Sequence, residues 1–411
     1  MQEACPPERY LIMNSRELMM VPLAVLGFIS LSAQADELDT LQFKAGISAQ
    51  HDSNVFRLSD TANAQSVIGT PSRSDTAAIT TVGVLLNKPY SLQRFELDIH
   101  ADDYRYQRFS SLNFTALSYV AAWRWSLTPA LHGNLTTNQR EFVDNSSDLQ
   151  NRGEVNRRTE RASLFDAEYE VDGAFRVLGG FFDNTLRNSQ PLTFDGDSSV
   201  KGAEVGVRYV FPSSASLAYR FKKGSGDYPD RVASSFFASS FKDTEHEVRL
   251  DWPITGKTAL QARVSHFNRA HEDLAARDFS GMTGELNATW EATGKTRVTF
   301  GLSRELGSYQ TGDASYYQGY QFFIAPTWKP TEKTAVRLRY DHGVRDYKGP
   351  LPGFAATNRQ DTLDLASLAF EWQLIRAVKM TVSVQQDKRK STEAGLDYKN
   401  NGVNLGVEAS F

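Results

Sequence analysis

A single cysteine, Cys5, occurs in 411 residues, close to the N-terminus. A disulfide framework and thiol chemistry in the body of the chain are therefore excluded. The body also lacks any run of eighteen apolar residues, and mean hydropathy is −0.43, so a helix that crosses a bilayer is excluded as well. Low hydropathy leaves a membrane β-barrel open, because half of each barrel strand faces a polar lumen. Neither sign of charge dominates: 45 Lys and Arg stand against 49 Asp and Glu, a formal net charge of −4, which makes no electrostatic case for nucleic acid.

Catalytic strings are equally scarce. There is no G-x-S-x-G, no H-E-x-x-H and no glycine-rich phosphate loop. The seven histidines (51, 100, 132, 246, 266, 271 and 342) are scattered. His246-Glu247 and His271-Glu272 lack a second histidine at ligand spacing, so they read as strand-face or loop residues, with no metal and no cofactor expected. A serine–histidine lipid hydrolase on an outer barrel wall is the one enzyme class left open, and the chain reads as a non-enzyme.

Residues 1–35 read as a secretory leader. Val21–Leu31 is a short apolar core and Ala33-Gln34-Ala35 a small-x-small cleavage site, with cutting expected after Ala35. Pro6, Pro7 and Glu8 do not fit a leader's basic start, which places initiation at Met13, Met19 or Met20. Residues 36–411 show one compositional regime and no linker, and are expected to form one domain.

What is abundant is repetition. Trp252-Pro-Ile-Thr-Gly-Lys-Thr258, Trp290-Glu-Ala-Thr-Gly-Lys-Thr296 and Trp328-Lys-Pro-Thr-Glu-Lys-Thr334 share the pattern W-x-x-T-x-K-T, with the tryptophans 38 residues apart twice. Between the copies the periodicity is two. Apolar or small residues occupy 282, 284, 286, 288 and 290, and polar Thr283, Glu285, Asn287 and Thr289 fill the gaps. The unit is strand, tight turn, strand, longer loop, and each tryptophan sits where a membrane interface would place it. The same alternation recurs from Leu41 to Phe411 and gives about eighteen strands, eight short turns and nine longer loops. The expected fold is all-β: a transmembrane antiparallel up-and-down barrel with both termini on the short-turn, periplasmic side. Phe411, ending an amphipathic strand, resembles the C-terminal signal read by the outer-membrane insertion machinery.

The phase of the strands separates two faces. Glu204, Arg208, Glu247, Arg249, Asp251, Arg263, Glu285, Arg297, Arg337 and Arg339 are in phase with each other and out of phase with the apolar set. A dry core would pay several kcal/mol for each unpaired ion, whereas a wet lumen removes the cost. These residues are expected to line a channel, with Arg208, Arg249, Arg297 and Arg337 opposite Glu204, Glu247 and Glu285. The plainer alternative is that they pair across strands and hold the wall together; the two are compatible. Tyr104, Tyr106, Tyr316 and Tyr317 lie where strands meet long loops and could stack on sugar faces at a mouth. The alternative there is an outer girdle at headgroup level.

A family resemblance rests on several strings. His51-Asp-Ser-Asn-Val-Phe-Arg57 is similar to the D-x-N-x-F-R signature of β-barrel porins encoded in exopolysaccharide operons. Lys88-Pro-Tyr-Ser-Leu-Gln-Arg-Phe95, Asp103-Tyr-Arg-Tyr106, Leu112-Asn-Phe-Thr-Ala-Leu117, Trp123-Arg-Trp-Ser-Leu-Thr-Pro129 and Gly206-Val-Arg-Tyr-Val-Phe-Pro212 resemble more closely the EpsL family of exosortase B-associated exopolysaccharide biosynthesis/transport barrels. The resemblance implies a Gram-negative outer-membrane barrel that serves export of an extracellular polysaccharide, with outer-membrane lipid and the polymer or its export machinery as partners. It carries no catalytic residues. A general diffusion porin, or a docking barrel closed by its own loops at Asp52–Asp75 and Asn145–Glu160, are the alternatives.

Overall fold

A computed structural model describes residues 40–144, 155–190 and 196–411. The expected leader, and the segment 145–154 of one long loop, lie outside the described residues. The first nine strands are β1 (Leu41–Asp52), β2 (Asp75–Tyr90), β3 (Gln93–Tyr106), β4 (Phe114–Thr128), β5 (Leu131–Asp144), β6 (Asn156–Glu170), β7 (Phe175–Asn188), β8 (Ser198–Val210) and β9 (Ser216–Asp227). The second nine are β10 (Ser240–Thr255), β11 (Thr258–His271), β12 (Phe279–Thr293), β13 (Thr296–Ser308), β14 (Tyr316–Thr331), β15 (Thr334–Lys348), β16 (Gln360–Ile375), β17 (Val378–Ser391) and β18 (Tyr398–Ser410). Every strand pairs antiparallel with its sequence neighbours, and β1 pairs with β18 from Lys44↔Ser410 to Asp52↔Gly402. The sheet is closed, so no edge is left to satisfy in lipid. Phe411 completes the seam: its N–H donates to the Phe43 carbonyl at 2.9 Å and its carbonyl accepts from the Phe43 N–H at 2.7 Å.

Alternation decides the two faces. On β10 Glu247 is buried while Val248 and Trp252 are exposed, and on β8 Glu204 is buried between exposed outer neighbours that include Val205. An exposed apolar outer wall and a charged inner wall are what a lipid-facing barrel requires. Trp125 is the outward aromatic that is nearly covered. It lies in the gap left by Gly133, where a Cβ would sit 2.6 Å from the indole, and it stacks on Phe165 at 5.7 Å.

The repeated turns have a common chemistry. Thr255, Thr293 and Thr331 each accept, through the hydroxyl, the N–H of the lysine two residues on, at 3.1, 3.1 and 3.2 Å. That is the hydroxyl turn in which serine and threonine replace a backbone acceptor. Each lysine carbonyl then accepts from the next hairpin: Lys257 from Glu291, Lys295 from Lys329 and Lys333 from Gln373, at 2.8, 2.7 and 2.7 Å. Threonine and lysine thus close one turn and tie it to its neighbour. Trp252, Trp290 and Trp328 project outward beside these turns, and Trp372 joins them although its own turn lacks the motif.

Candidate functional site

The inner wall is a lattice of ion pairs. Lys222 reaches Glu247 at 2.6 Å, and Arg263 lies 3.4 Å from Glu245 and 3.8 Å from Glu285. Arg208 pairs with Glu168 at 2.7 Å, Arg337 with Glu371 at 2.8 Å, Arg339 with Asp341 at 2.7 Å and Arg249 with Asp251 at 3.2 Å. Arg297 pairs with Glu291, and Glu204 faces Arg220 at 3.8 Å. The ten charged residues expected to line the lumen all take part in this lattice. Their partners differ from the expected ones: Arg208, Arg249, Arg297 and Arg337 meet Glu168, Asp251, Glu291 and Glu371 rather than Glu204, Glu247 and Glu285. Side-chain length and strand tilt set the reach, and a count of residues along each strand does not contain them.

The loop after β1 is folded onto the inner wall at the loop-side mouth, and the D-x-N-x-F-R string organises it. Asn54 closes the turn with both atoms of its amide: Oδ1 accepts the Leu58 N–H at 2.9 Å and Nδ2 donates to the Leu58 carbonyl at 2.8 Å. Phe56 meets Phe109 edge-on at 4.9 Å in a small core with Val55, Leu58 and Ala64, where α1 (Ala64–Ile68) packs. Arg57 has a φ of 51°, a left-handed conformation that costs a non-glycine residue and is held here by its bonds. Its Nη1 donates to Asp52 at 2.9 Å and to the Asn54 carbonyl at 2.6 Å, and its Nε donates to Asp387 of β17 at 2.9 Å. Burial opposes the guanidinium charge, but Asp52 and Asp387 outweigh it and hold the arginine above its ordinary pKa.

Beside Arg57 the lumen opens into a cavity of about 1420 Å³. Its wall includes Asp98, His100, Asn138, Glu204, Asp341 and Asn404 together with aromatic groups. Tyr104 stacks on Phe114 with centroids 4.5 Å apart and planes 2° from parallel, Tyr106 adjoins them, and the Arg140 guanidinium lies 4.3 Å over Phe142. Tyr104 and Tyr106 are thus on the cavity wall. Tyr316 and Tyr317 do not line it and are half-buried at the loop-side start of β14. Tyr316 is stacked 5.0 Å from buried Phe279, and Tyr317 is 4.9 Å from the Arg345 guanidinium and 6.1 Å from Tyr347. Of these ten charges, Glu204 borders this cavity and the others lie outside it.

Sequence reasoning missed one further arginine. Arg277 is fully buried in the loop between β11 and β12, where Nη1 donates to the carbonyls of Thr311 and Ala314 at 2.6 and 3.0 Å and Nη2 to that of Phe236 at 2.8 Å. Burial, with Arg231 near, lowers its pKa to about 10. It ties three loops together with no carboxylate, so no charge pattern in the sequence announces it. Among the described residues no three His, Cys, Asp or Glu side chains converge as metal ligands.

Comparison with solved structures finds the same closed barrel. Pseudomonas aeruginosa OccK1 (OpdK) superposes with a TM-score of 0.50 at 13% identity, over 90% of this chain and 99% of that one. The fold is that of an outer-membrane porin. P. aeruginosa OccK2 (OpdF), in a structure with glucuronate, gives a TM-score of 0.50 at 12% identity over 90% of this chain and 98% of that one. The family model described as putative beta-barrel porin 2 matches residues 248–411, the part of the chain that carries the repeated turns. No curated protein matches the chain in sequence.

Proposed function

We propose that the protein is an outer-membrane channel through which an extracellular polysaccharide passes during export. The observation that carries this reading is the lumen cavity, whose wall combines the Tyr104–Phe114 stack and Tyr106 with amides and paired charges. Flat rings bind the apolar faces of sugars, and amides and carboxylates bind their hydroxyls. Glu204, Arg208, Glu247, Arg249, Arg263, Glu285, Arg297, Arg337 and Arg339 act in this reading as a hydrated wall whose charges offset one another. The D-x-N-x-F-R string and the other EpsL-like strings supply the link to polysaccharide export. The same charge balance favours a second reading, a general diffusion porin, which needs no polymer.

Deletion of the gene in its native cell separates the two. The export reading expects loss of surface polysaccharide with polymer retained in the periplasm, restored by the wild-type gene. Normal surface polymer, together with swelling of proteoliposomes in unrelated small sugars, supports the diffusion porin instead.

A further inference from the structure

The outer wall carries cations near the loop-side rim, and some have a carboxylate beside them. Arg105 pairs with Asp103 at 2.7 Å, Lys201 with Asp183 at 3.5 Å and Lys242 with Glu272. The wall of β17 and β18 differs. Lys388, Lys390 and Lys399 all fall on the outward phase, opposite in phase to buried Asp387, Arg389, Tyr398 and Asn400. Lys388 and Lys399 are directly opposed in the β17–β18 register. Like charges in that position repel and weaken the sheet.

The carboxylate in register with Lys388 is Asp364. Its Oδ1 accepts from the Tyr340 hydroxyl at 3.0 Å and lies 2.8 Å from His342 Nδ1, so this carboxylate is already shared with β15. None of the three lysines has a carboxylate within ion-pairing distance among the described residues. The neighbours that share their outer face are Gln386 and Asn401, bonded to each other at 2.8 Å, and then apolar Val384 and Val403.

Height identifies what faces them. Trp372 is in register with Met380, and Met380 with Val407, which marks the turn-side girdle on these strands. Lys388 and Lys399 lie eight residues above that line and Lys390 ten. At about 2.5 Å of height per tilted residue they stand roughly 20–25 Å above the girdle, the far edge of the apolar band. We propose that Lys388, Lys390 and Lys399 form a binding site for the phosphate groups of an outer-leaflet glycolipid. The phosphates would neutralise the opposed lysines while the acyl chains cover Val384 and Val403. This site is independent of what passes through the lumen.

The test is native mass spectrometry of the refolded protein in detergent with bis-phosphorylated lipid A, with the same lipid after removal of its phosphates, and with inorganic phosphate as competitor. The site predicts retention of the phosphorylated lipid, little retention of the dephosphorylated one, and no displacement by millimolar phosphate. The triple variant K388Q/K390Q/K399Q should lose roughly 100-fold in affinity for the phosphorylated lipid, the arginine triple should keep it, and K201Q should leave it unchanged. Equal retention of both lipids, a comparison that needs no variant, would overturn the proposal. So would full retention by the glutamine triple, and displacement by free phosphate would overturn a lipid as the ligand.

Discussion

Arg57 and Asp387 are 330 residues apart in sequence and 2.9 Å apart in space. The arginine also holds Asp52, so one guanidinium joins the end of β1, the loop behind it and β17. In effect a loop at the start of the barrel is fastened across the closure seam to a strand near its end. Asn400 of β18 reinforces the point, since its Nδ2 donates to Asp387 at 2.8 Å and its Oδ1 accepts the Asn54 N–H at 2.9 Å.

Arg57→Ala removes that fastening and leaves two carboxylates facing each other, at a cost of about 3 kcal/mol for a buried pair with one partner deleted. The expected outcome is a folded barrel whose residues 53–74 become open to protease and whose conductance rises. Limited proteolysis with mass spectrometry checks the first part. Unchanged cleavage in this segment would mean that its small apolar core, Val55, Phe56 and Leu58 against Phe109, holds the loop without the arginine.

The threonine turns make a graded prediction. Replacing Thr255, Thr293 or Thr331 by valine keeps the β-branched shape and removes the acceptor for the lysine N–H, which should lower stability by about 1 kcal/mol each. Urea unfolding in lipid vesicles reads this directly. The sites are on separate hairpins, so the triple variant should come close to the sum of the singles.

Depth in the bilayer gives a different ranking. Leu302 and Leu338 are both on the outer wall, with 45% of each exposed, but Leu302 lies four residues above the line of Trp290 and Leu338 only two above that of Trp328. Leu302→Arg should cost about 2–4 kcal/mol and Leu338→Arg less, because the penalty falls toward the interface. Arg337→Gln, between Leu338 and the turn but on the inner face, should leave heat-modifiable migration intact. If Leu302→Arg and Arg337→Gln fold equally well, the assignment of inner and outer faces is wrong.

Acid should loosen one tie between loops. Asp273 accepts from the Ser239 N–H at 3.0 Å and from the Ser239 hydroxyl, and these bonds lower its pKa below the usual carboxylate range. A carboxylate lowered on folding contributes while pH stays above its unfolded value and loses that contribution as pH falls through the lowered one. Cleavage within 228–239 should therefore rise only on acidification, and Asp273→Asn should show the raised level already at neutral pH. A flat pH profile in the wild type would remove Asp273 from any role in holding the loop.

The barrel was legible in the sequence because period two is a property of the strand backbone and recurs in every hairpin. Leu41–Asp52 and Val378–Ser391 announce themselves by the same rule although they are far apart. The repeated W-x-x-T-x-K-T supplied the phase, yet it hid a member of the girdle: Trp372 precedes Gln-Leu-Ile-Arg-Ala, which lacks the threonine and lysine. Which carboxylate meets which arginine was not legible, since Arg208 reaches Glu168 across two strands and only the tilt of the sheet brings them together. Nor was the work of Arg57 or Arg277 visible. Both act through contacts between loops, and one of them bonds mostly to backbone carbonyls, which every residue possesses.

The account rests on a hydrated lumen narrowed by the loop that Arg57 fastens. Single-channel recording of the refolded protein in planar bilayers, wild type beside Arg57→Ala and with neutral oligosaccharides added to either side, tests it most directly. Discrete conductance steps with weak ion preference, interrupted by the oligosaccharide and enlarged in the variant, are the expected result. Bilayers that stay sealed with both proteins, although the barrel is inserted and folded, would contradict it.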